Sequence, residues 1–460
     1  MAKIAILGAG LRGLYIADRL EQLGHDCSVF EASHRIGGAI LSQRHPSGYL
    51  TEDGAHTFLI NSEKVENYLD SFSELMARSL RPKPGTEKRY IAHKKKLHLV
   101  EAKPQFIFKT NLLSPLGKLR FLSECFKGKQ SLDPQISLYD LIKLHFGSEC
   151  ADRLLDPFIA GTYAGDPKKL SAQFTAPQLY KTSSTRGSLL RSALSRKAFK
   201  SYIISFIDGL NELPEAIARR LKKAVLTNTQ ILTIEAFEDG WRLRYQTTNC
   251  EQEQNPFDGI ISTLPAHSMA SLPLAPKVKD CLPNFSEIKH PPVSVLSLGF
   301  HKDQFKKELT GYGYLIPSSE KEEHLGVLFS SGLFEQRAPS EHRLITVFIG
   351  GSRNPELTQL NAVALTKRLL PSIGSYTGIH GEPAFSYLRT WTASIPQYHP
   401  KYQRIYQQIA DFENSHAGFI LEGNYRNGIA LGHCFDDNFL KHPLFQEGTT
   451  HNKEPYTCLD

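Results

Sequence analysis

The stretch from Lys3 to Gly38, KIAILGAGLRGLYIADRLEQLGHDCSVFEASHRIGG, constrains this chain more than any other. It opens with an apolar run, Ile4-Ala5-Ile6-Leu7, that reads as a buried parallel strand. Gly8-Ala9-Gly10-Leu11-Arg12-Gly13 follows at once, then a helical pattern with Leu14, Ala17 and Leu20 on one face. A second strand, Cys27-Ser28-Val29-Phe30, ends on Glu31. This order predicts a βαβ unit of the dinucleotide-binding kind. Gly8 permits the tight turn, Gly10 lets the backbone approach a pyrophosphate, and Gly13 lets helix and strand pack closely. The new helix offers free N–H groups and its positive dipole end to phosphates. Glu31 stands where a carboxylate accepts hydrogen bonds from both ribose hydroxyls and repels a 2′-phosphate, which argues against NADP.

Strand, glycines, helix, second strand and acid agree, which a lone glycine motif would not achieve. NAD and FAD both fit that far. Ser33-His34-Arg35-Ile36-Gly37-Gly38, just beyond the acid, leans towards FAD: a second glycine pair with an arginine gives another close approach to a diphosphate and a charge to hold it. The plainer alternative for Gly37-Gly38 is a simple loop.

At 460 residues, with 40% apolar and 22% charged content, the chain is long enough for more than one core and reads as globular. It holds no run of eighteen apolar residues, so no transmembrane helix is expected, and the apolar N-terminal residues read as the first strand rather than a signal peptide. Seven scattered cysteines without a CxxC pair suggest free thiols in a reducing compartment, and no Cys/His cluster has zinc-site spacing, so no metal is expected.

Further along, the small residues Gly54 and Ala55 would let a loop pass under a flat ring system. Residues 61–80 read as helical, and 89–99 alternate like a hairpin. Over 109–129 the pattern predicts a helical stripe of Leu112, Leu113, Leu116, Leu119, Leu122, Cys125 and Phe126 ringed by lysines and Arg120. Pro167 to Ile207 holds Lys168, Lys169, Lys181, Arg186, Arg191, Arg196, Lys197 and Lys200 without one acid. Such a block suits an anionic lipid surface, substrate carboxylates or, in third place, nucleic acid, for which no motif is present. A solvated basic face is the plain alternative. Residues 212–222 read as a helix, 257–265 as a buried strand and turn, and 290–350 as strand-rich, implying a second, mostly antiparallel sheet. The final strand and turn, 419–432, read as closing over the flavin.

The chain resembles the flavin-dependent protoporphyrinogen oxidases, relatives of the amine oxidases and phytoene desaturases. The residues that carry this are Gly161-Thr162-Tyr163-Ala164-Gly165-Asp166 running into Leu170-Ser171, then Gly313-Tyr314-Leu315-Ile316-Pro317, Ile395-Pro396-Gln397-Tyr398, and Gly423-Asn424-Tyr425 with Gly428-Ile429-Ala430-Leu431 and Cys434. The resemblance implies an α/β and α+β molecule: a two-dinucleotide-binding (Rossmann-like) FAD domain, an antiparallel-sheet substrate domain and a helical membrane-binding part. The expected segments are 1–75, 205–265 and 386–460 for FAD, 76–105 and 266–385 for substrate, and 106–204 for the membrane. Implied FAD contacts are Gly8, Ala9, Gly10, Leu11, Arg12, Gly13, Glu31, Ala32 and Ala39, then Gly54, Ala55, His56 and Thr57, the Ile231 backbone, and Ile429, Ala430 and Leu431. To these the residue reading adds Arg35, Gly37, Gly38 and Gly423. Arg89 is implied to face a substrate propionate, and Gly161 to lie near the reacting porphyrinogen.

The implied reaction is repeated hydride removal from a porphyrinogen methylene bridge to flavin, with oxygen or another acceptor taking the electrons. No side chain is assigned as an acid–base catalyst. Coproporphyrinogen III is the alternative substrate, and a flavin- and porphyrin-holding membrane scaffold without turnover is the alternative of another class. A cytoplasmic location on the inner face of the cell membrane is expected, and a homodimer is compatible with the sequence. Ala55 stands where the family commonly has Pro, and Gly432-His433-Cys434 lacks the family's usual acid. Proline and glycine at Pro443, Gly448 and Pro455 predict that the last helix is short or differently packed.

Overall fold

The computed structural model describes residues 1–101, 106–195, 199–238, 240–248 and 250–446. The chain packs as two compact units: Met1–Leu41, Asn211–Glu287 and Arg404–Asp460 form the first, Ser42–Leu210 and Ile288–Gln403 the second.

The first unit is built on a four-stranded parallel sheet. Its order is Phe419–Leu421, Gly259–Ser262, Lys3–Leu7, Asp26–Phe30. Ile4, Ala5 and Ile6 are wholly buried, as expected of an apolar run flanked by strands on both sides. The helix Leu11–Gln22 connects the first two strands and turns Leu14, Ala17 and Leu20 into the core. A three-stranded antiparallel sheet, Gln230–Phe237, Gly240–Gln246 and Glu251–Phe257, completes the unit's strands. Leu226 continues the parallel sheet past Phe30, exchanging backbone hydrogen bonds with Val29 and Glu31.

The second unit centres on a seven-stranded sheet in the order Phe385–Trp391, Val293–His301, His342–Gly350, His324–Leu328, Gly313–Leu315, Arg89–His93, Lys96–Val100. Every pairing is antiparallel except that of Gly313–Leu315 with Arg89–His93. Leu296, Leu298, Tyr314 and Val347 on one face pack against Leu365, Leu369 and Ile373 of the helix Ala362–Thr377. Because strand side chains alternate, the other face carries the remaining residues in register. One row runs Arg89, Gly313, Leu328, Thr346, Ser297, Tyr387, and the next runs Ile91, Leu315, Gly326, Phe348, Val295, Arg389.

Two expectations change here. Packing leaves the first unit at Leu41 rather than at residue 75, because Ser42–Arg44 pairs with Leu50–Glu52 and Phe58–Ile60 pairs with Tyr202–Phe206 of the second unit. It returns at Arg404 rather than 386, because Phe385–Trp391 is the edge strand of the seven-stranded sheet. The single stripe expected over 109–129 is also broken. Ser114 caps a new helix, Pro115–Ser123, with Pro115 in its first turn, and a three-ten turn, Glu124–Phe126, follows. Leu112 and Leu113 are buried before the break, whereas Leu116, Leu119 and Phe126 are 78%, 65% and 89% exposed after it.

Among the described residues of the basic block lie the helices Ala172–Thr175, Pro177–Thr185 and Leu189–Ser195. Arg196 and Lys197 lie outside the described residues. The chain's last described elements are short three-ten turns, Leu431–Phe435, Asn438–Lys441 and Pro443–Phe445. The breakers at 448 and 455 lie outside the described residues.

Candidate functional site

In the first unit the strand Lys3–Leu7 delivers the chain into a turn that only glycine suits. Gly8 has φ +98°, and a Cβ on Gly13 would sit 2.0 Å from the Gly8 carbonyl oxygen. Gly38 approaches Gly10 so closely that its own Cβ would lie 3.1 Å from the Gly10 Cα. The Gly37 N–H donates to the Ala9 carbonyl at 2.8 Å, so the two glycine pairs form one structure. Gly10 begins the twelve-residue helix Leu11–Gln22 with no capping side chain and no acid in its first turn, which leaves the positive helix end without a side-chain anion. Glu31 is fixed rather than free: its carboxylate accepts from the Ala9 N–H at 2.9 Å, the Ser33 N–H at 2.9 Å and the Ser33 hydroxyl at 2.8 Å. A glycine cradle, an uncapped helix end and an anchored acid fit a dinucleotide.

Two arginines in this region have other work than phosphate contact. Arg35 donates to the carbonyls of Ile36, Gly38 and Ile40, which holds the second glycine pair in its turn. Arg12 is buried, and its Nε and Nη2 donate to Glu422 at 3.2 and 2.6 Å. Its Nη1 donates to the Cys434 carbonyl at 3.0 Å and also to that of Asp436. Tyr15, one helical turn on, donates to Asp437 at 2.6 Å. The motif's side chains therefore clamp the chain around Gly423, Ile429, Ala430 and Leu431, all expected cofactor neighbours, onto the start of the helix. Glu422 is absent from the sequence reading. Its only signal was an acid closing an apolar strand, as Glu31 does. Ala32 and Ala39 follow Glu31 and the second glycine pair, and Ile231 lies in the strand Gln230–Phe237 opposite Tyr245.

In the second unit Gly54, Ala55, His56 and Thr57 form a loop after the strand Leu50–Glu52. Two buried acids support it. Glu52 accepts from Ser42 Oγ at 2.6 Å and from the Leu210 N–H at 3.0 Å, yet burial still pushes its carboxyl up to about 7. Asp53 accepts from Gln43, Thr51 and Tyr387, while its backbone carbonyl accepts from the Trp391 indole at 2.6 Å. Burial raises the Asp53 carboxyl as well. His56 Nδ1 lies 2.9 Å from the Gly54 carbonyl, and its Nε2 is buried with no partner. Burial pulls the imidazole down to about 4, so it is neutral at physiological pH. His56, Glu52 and Arg337 line a small cavity of about 10 Å³, the size that holds one water molecule. Thr57 Oγ1 lies 3.1 Å from the Tyr312 hydroxyl, and the Arg89 guanidinium sits over that tyrosine's ring, 5.1 Å from its centre. Two expected site residues thus converge on a tyrosine that sequence reasoning passed over.

The signature segments fit together as well. Gly161 packs closely on the sheet face that bears Arg89: a Cβ there would lie 2.4 Å from Leu315 Cδ2, which would have to shift. A Cβ on Gly165 would strike Gln397 at 2.3 Å, and Gln397 donates to the Tyr163 carbonyl at 2.9 Å. The Ser171 N–H donates to the Tyr398 carbonyl at 2.7 Å. The 161–171 and 395–398 segments are therefore one packed turn against the sheet.

Sequence reading found no serine–histidine–acid set, but the fold assembles one. His145 lies 2.7 Å from Ser183 Oγ through Nε2 and 2.7 Å from Glu124 through Nδ1. Glu124 also accepts from Ser188 Oγ and the N–H groups of Leu189 and Leu190. Burial raises its carboxyl, but these hydrogen bonds outweigh burial and leave it below the usual range. All four side chains are wholly enclosed, so the set is the polar core of the helical segment, not a nucleophile facing a ligand. No cluster able to hold a metal ion occurs among the described residues.

Comparison with known proteins places this geometry. The family described as flavin containing amine oxidoreductase matches residues 12–429. The chain is 32% identical to the mitochondrial protoporphyrinogen oxidase of Nicotiana tabacum, over 94% of this chain and 92% of that one. It is 24% identical to the coproporphyrinogen III oxidase of Bacillus subtilis, over 94% of this chain and 95% of that one. A crystal structure from Exiguobacterium sp. 255-15 shares the fold with a TM-score of 0.76 at 21% identity, covering 94% of this chain and 96% of that chain. The protein belongs to the flavin containing amine oxidoreductase family.

Proposed function

We propose that this protein oxidises protoporphyrinogen IX to protoporphyrin IX with FAD as cofactor. The observation that carries the reading is the nearly full-length similarity to the tobacco protoporphyrinogen oxidase. The glycine cradle and the anchored Glu31 support it independently, since both suit the cofactor. Bound FAD supplies the hydride acceptor for a methylene bridge of the macrocycle. The chain's part is placement. The backbone from Gly8 to Gly13 receives the diphosphate, Glu31 with Ala32 the ribose, and the Ile231 backbone the adenine side. Gly37, Gly38 and Ala39 give the second close approach, which Arg35 shapes by holding their carbonyls. Gly423, Ile429, Ala430 and Leu431 serve the ring end, and the resemblance assigns Gly54 to Thr57 to the cofactor as well. Arg89, whose guanidinium has no hydrogen bond or ion pair among the described residues, takes a propionate. Gly161 lies near the reacting macrocycle, the place the resemblance implies for it. Electrons leave to oxygen or another acceptor.

The helical segment is proposed as a membrane-binding part on the inner face of the cell membrane. What supports this is exposure: Phe108, Leu116, Leu119, Phe126 and Leu194 stand more than half exposed among Lys109, Lys118, Arg120, Lys181 and Arg191. Apolar side chains ringed by cations suit an anionic lipid surface. No helix among the described residues is long and apolar enough to cross a membrane. Coproporphyrinogen III is the second substrate reading, favoured by the Bacillus subtilis relative.

The test is aerobic turnover of the purified flavoprotein with protoporphyrinogen IX, following porphyrin fluorescence and peroxide together. Enzyme-dependent porphyrin formation above autoxidation is expected. A protein that binds flavin but forms porphyrin no faster than buffer would instead be the scaffold.

A further inference from the structure

The helix Asp156–Tyr163 is irregular at both ends, and one short turn of the chain grips both. Before it, Ala151–Leu155 winds as a π-helix, a geometry found mostly as single turns and frequently at functional sites. After it, Ala164 closes the helix in the left-handed region at φ +48°, which is unfavourable for a residue with a side chain. Such departures persist only where the surrounding structure enforces them.

The enforcing turn is Gly351-Ser352-Arg353, directly after the strand His342–Gly350. At the C-terminal end of the helix the Ser352 N–H donates to the Ala164 carbonyl at 2.7 Å. Gly351 comes so close that a Cβ on it would lie 2.4 Å from the same oxygen. At the N-terminal end Arg353 Nη2 donates to Asp156 Oδ2 at 2.8 Å, and the Ser318 N–H donates to that oxygen at 2.7 Å. Arg353 Nη1 donates to the Ile316 carbonyl at 2.6 Å. The Asp156 and Arg353 side chains are only 11% and 14% exposed, so the ion pair stands largely out of water, where loss of one partner is costly.

Between the two grips lies Gly161, exposed itself and packed beside Leu315. The strand Gly313–Leu315 runs parallel to Arg89–His93, with Gly313 opposite Arg89 and Leu315 opposite Ile91. The bonds of the ion pair end on Ile316 and Ser318, immediately beyond that strand. Asp156 and Arg353 therefore set the height and register of the Gly161 helix against the strand that neighbours Arg89.

We propose that Asp156 and Arg353 are positioning residues for the oxidation: they fix Gly161 relative to Arg89, and so fix where the reacting methylene bridge stands once a propionate is anchored. This rests on the porphyrinogen reading above. The competing role, a buried pair that only holds the fold together, would make activity follow stability.

The test compares the wild-type holoenzyme with R353M, R353K and the double variant D156L/R353M. Thermal unfolding is measured for each, and KM and kcat for protoporphyrinogen IX well below each melting temperature. For R353M, kcat should fall at least about tenfold, since misplacement by about 1 Å can cost about a hundredfold. KM should stay within about threefold, because Arg89 keeps its hold on the propionate. R353K can pair with Asp156 but has no second nitrogen for the Ile316 carbonyl, so its kcat should fall between R353M and wild type. The double variant buries no lone charge, so its melting temperature should return towards wild type while its kcat stays low. A kcat that recovers with stability in the double variant, a wild-type kcat in R353M, or a loss carried by KM instead would overturn the proposal. Should neither R353M nor the double variant fold, R353K decides: a kcat at least about threefold below wild type supports positioning, and a wild-type kcat overturns it. A wild type that oxidises no porphyrinogen fails the functional reading and takes this proposal with it. A wild type that turns over beside variants of unchanged kcat overturns the proposal alone.

Discussion

The glycine turn of the first unit and the 52–57 loop of the second are both candidate ligand surfaces, but they handle charge in opposite ways. Around the turn every ionic side chain is satisfied from within: Arg12 by Glu422, Glu31 by two N–H groups and a hydroxyl, Arg35 by carbonyls. What remains to meet a ligand is backbone, shape and the spare acceptor site of the Glu31 carboxylate. Around the loop and its sheet the reverse holds. His56 Nε2 and Arg389 Nε are buried without partners, and burial lifts the Glu52 carboxyl to about 7. A cofactor common to a whole family can be held by backbone geometry. A substrate that must be told from near relatives needs side chains left incomplete until it arrives.

That contrast can be broken at several points. Arg12→Ala should have the largest effect, because it strands a buried Glu422 carboxylate. A loss of about 3–5 kcal/mol in denaturant unfolding is expected, with flavin lost on gel filtration. Arg12→Lys, which keeps the charge but not the fork, should fall between. If Arg12→Ala retained wild-type stability, the clamp would be incidental.

Glu52 sharpens the other side. Its folded-state value of about 7 lies above the ordinary 4.5, so the folded state binds the extra proton between those values. Stability should therefore decline as pH rises from about 4.5 to about 7 and then level off, by on the order of 3 kcal/mol in all. Glu52→Gln should flatten that slope, as chemical denaturation across pH would show. An unchanged slope would mean the carboxyl is solvated.

Gly13→Ala places a methyl 2.0 Å from the Gly8 oxygen. Overpacking of this kind should cost about 1–3 kcal/mol, and flavin affinity should fall further than stability, since the turn itself must shift. Retained affinity would show that the turn does not set the cofactor's seat. The smallest effect on stability belongs to the exposed apolar positions. Leu116→Ser with Leu119→Ser should change stability by less than about 0.5 kcal/mol while reducing flotation with anionic vesicles. Unchanged flotation would remove these side chains from the membrane proposal.

What the sequence disclosed follows from locality. The first βαβ unit was legible because strand, turn and helix signals lie within forty residues and agree with one another. The segments 161–171 and 395–398 were legible as signatures, but their mutual packing through Gly165 and Gln397 spans more than two hundred residues and leaves no local trace. The stripe at 109–129 misled because Leu116 and Leu119 keep a helical spacing although that helix turns them to the surface. Ser114-Pro115 was the overlooked stop and start. Glu422 and Tyr312 carried no signal of their own, since a buried pair and a bridging hydroxyl exist only once distant segments are assembled.

The most direct measurement is a single anaerobic turnover in a stopped-flow spectrometer, mixing the flavin-loaded protein with protoporphyrinogen IX and watching the oxidised flavin band near its visible maximum. Bleaching of that band at a rate that saturates with porphyrinogen concentration is predicted, with porphyrin appearing when air is admitted. A band that stays unchanged while porphyrinogen is shown to bind would contradict the oxidase reading and leave a flavoprotein that holds the ligand without oxidising it.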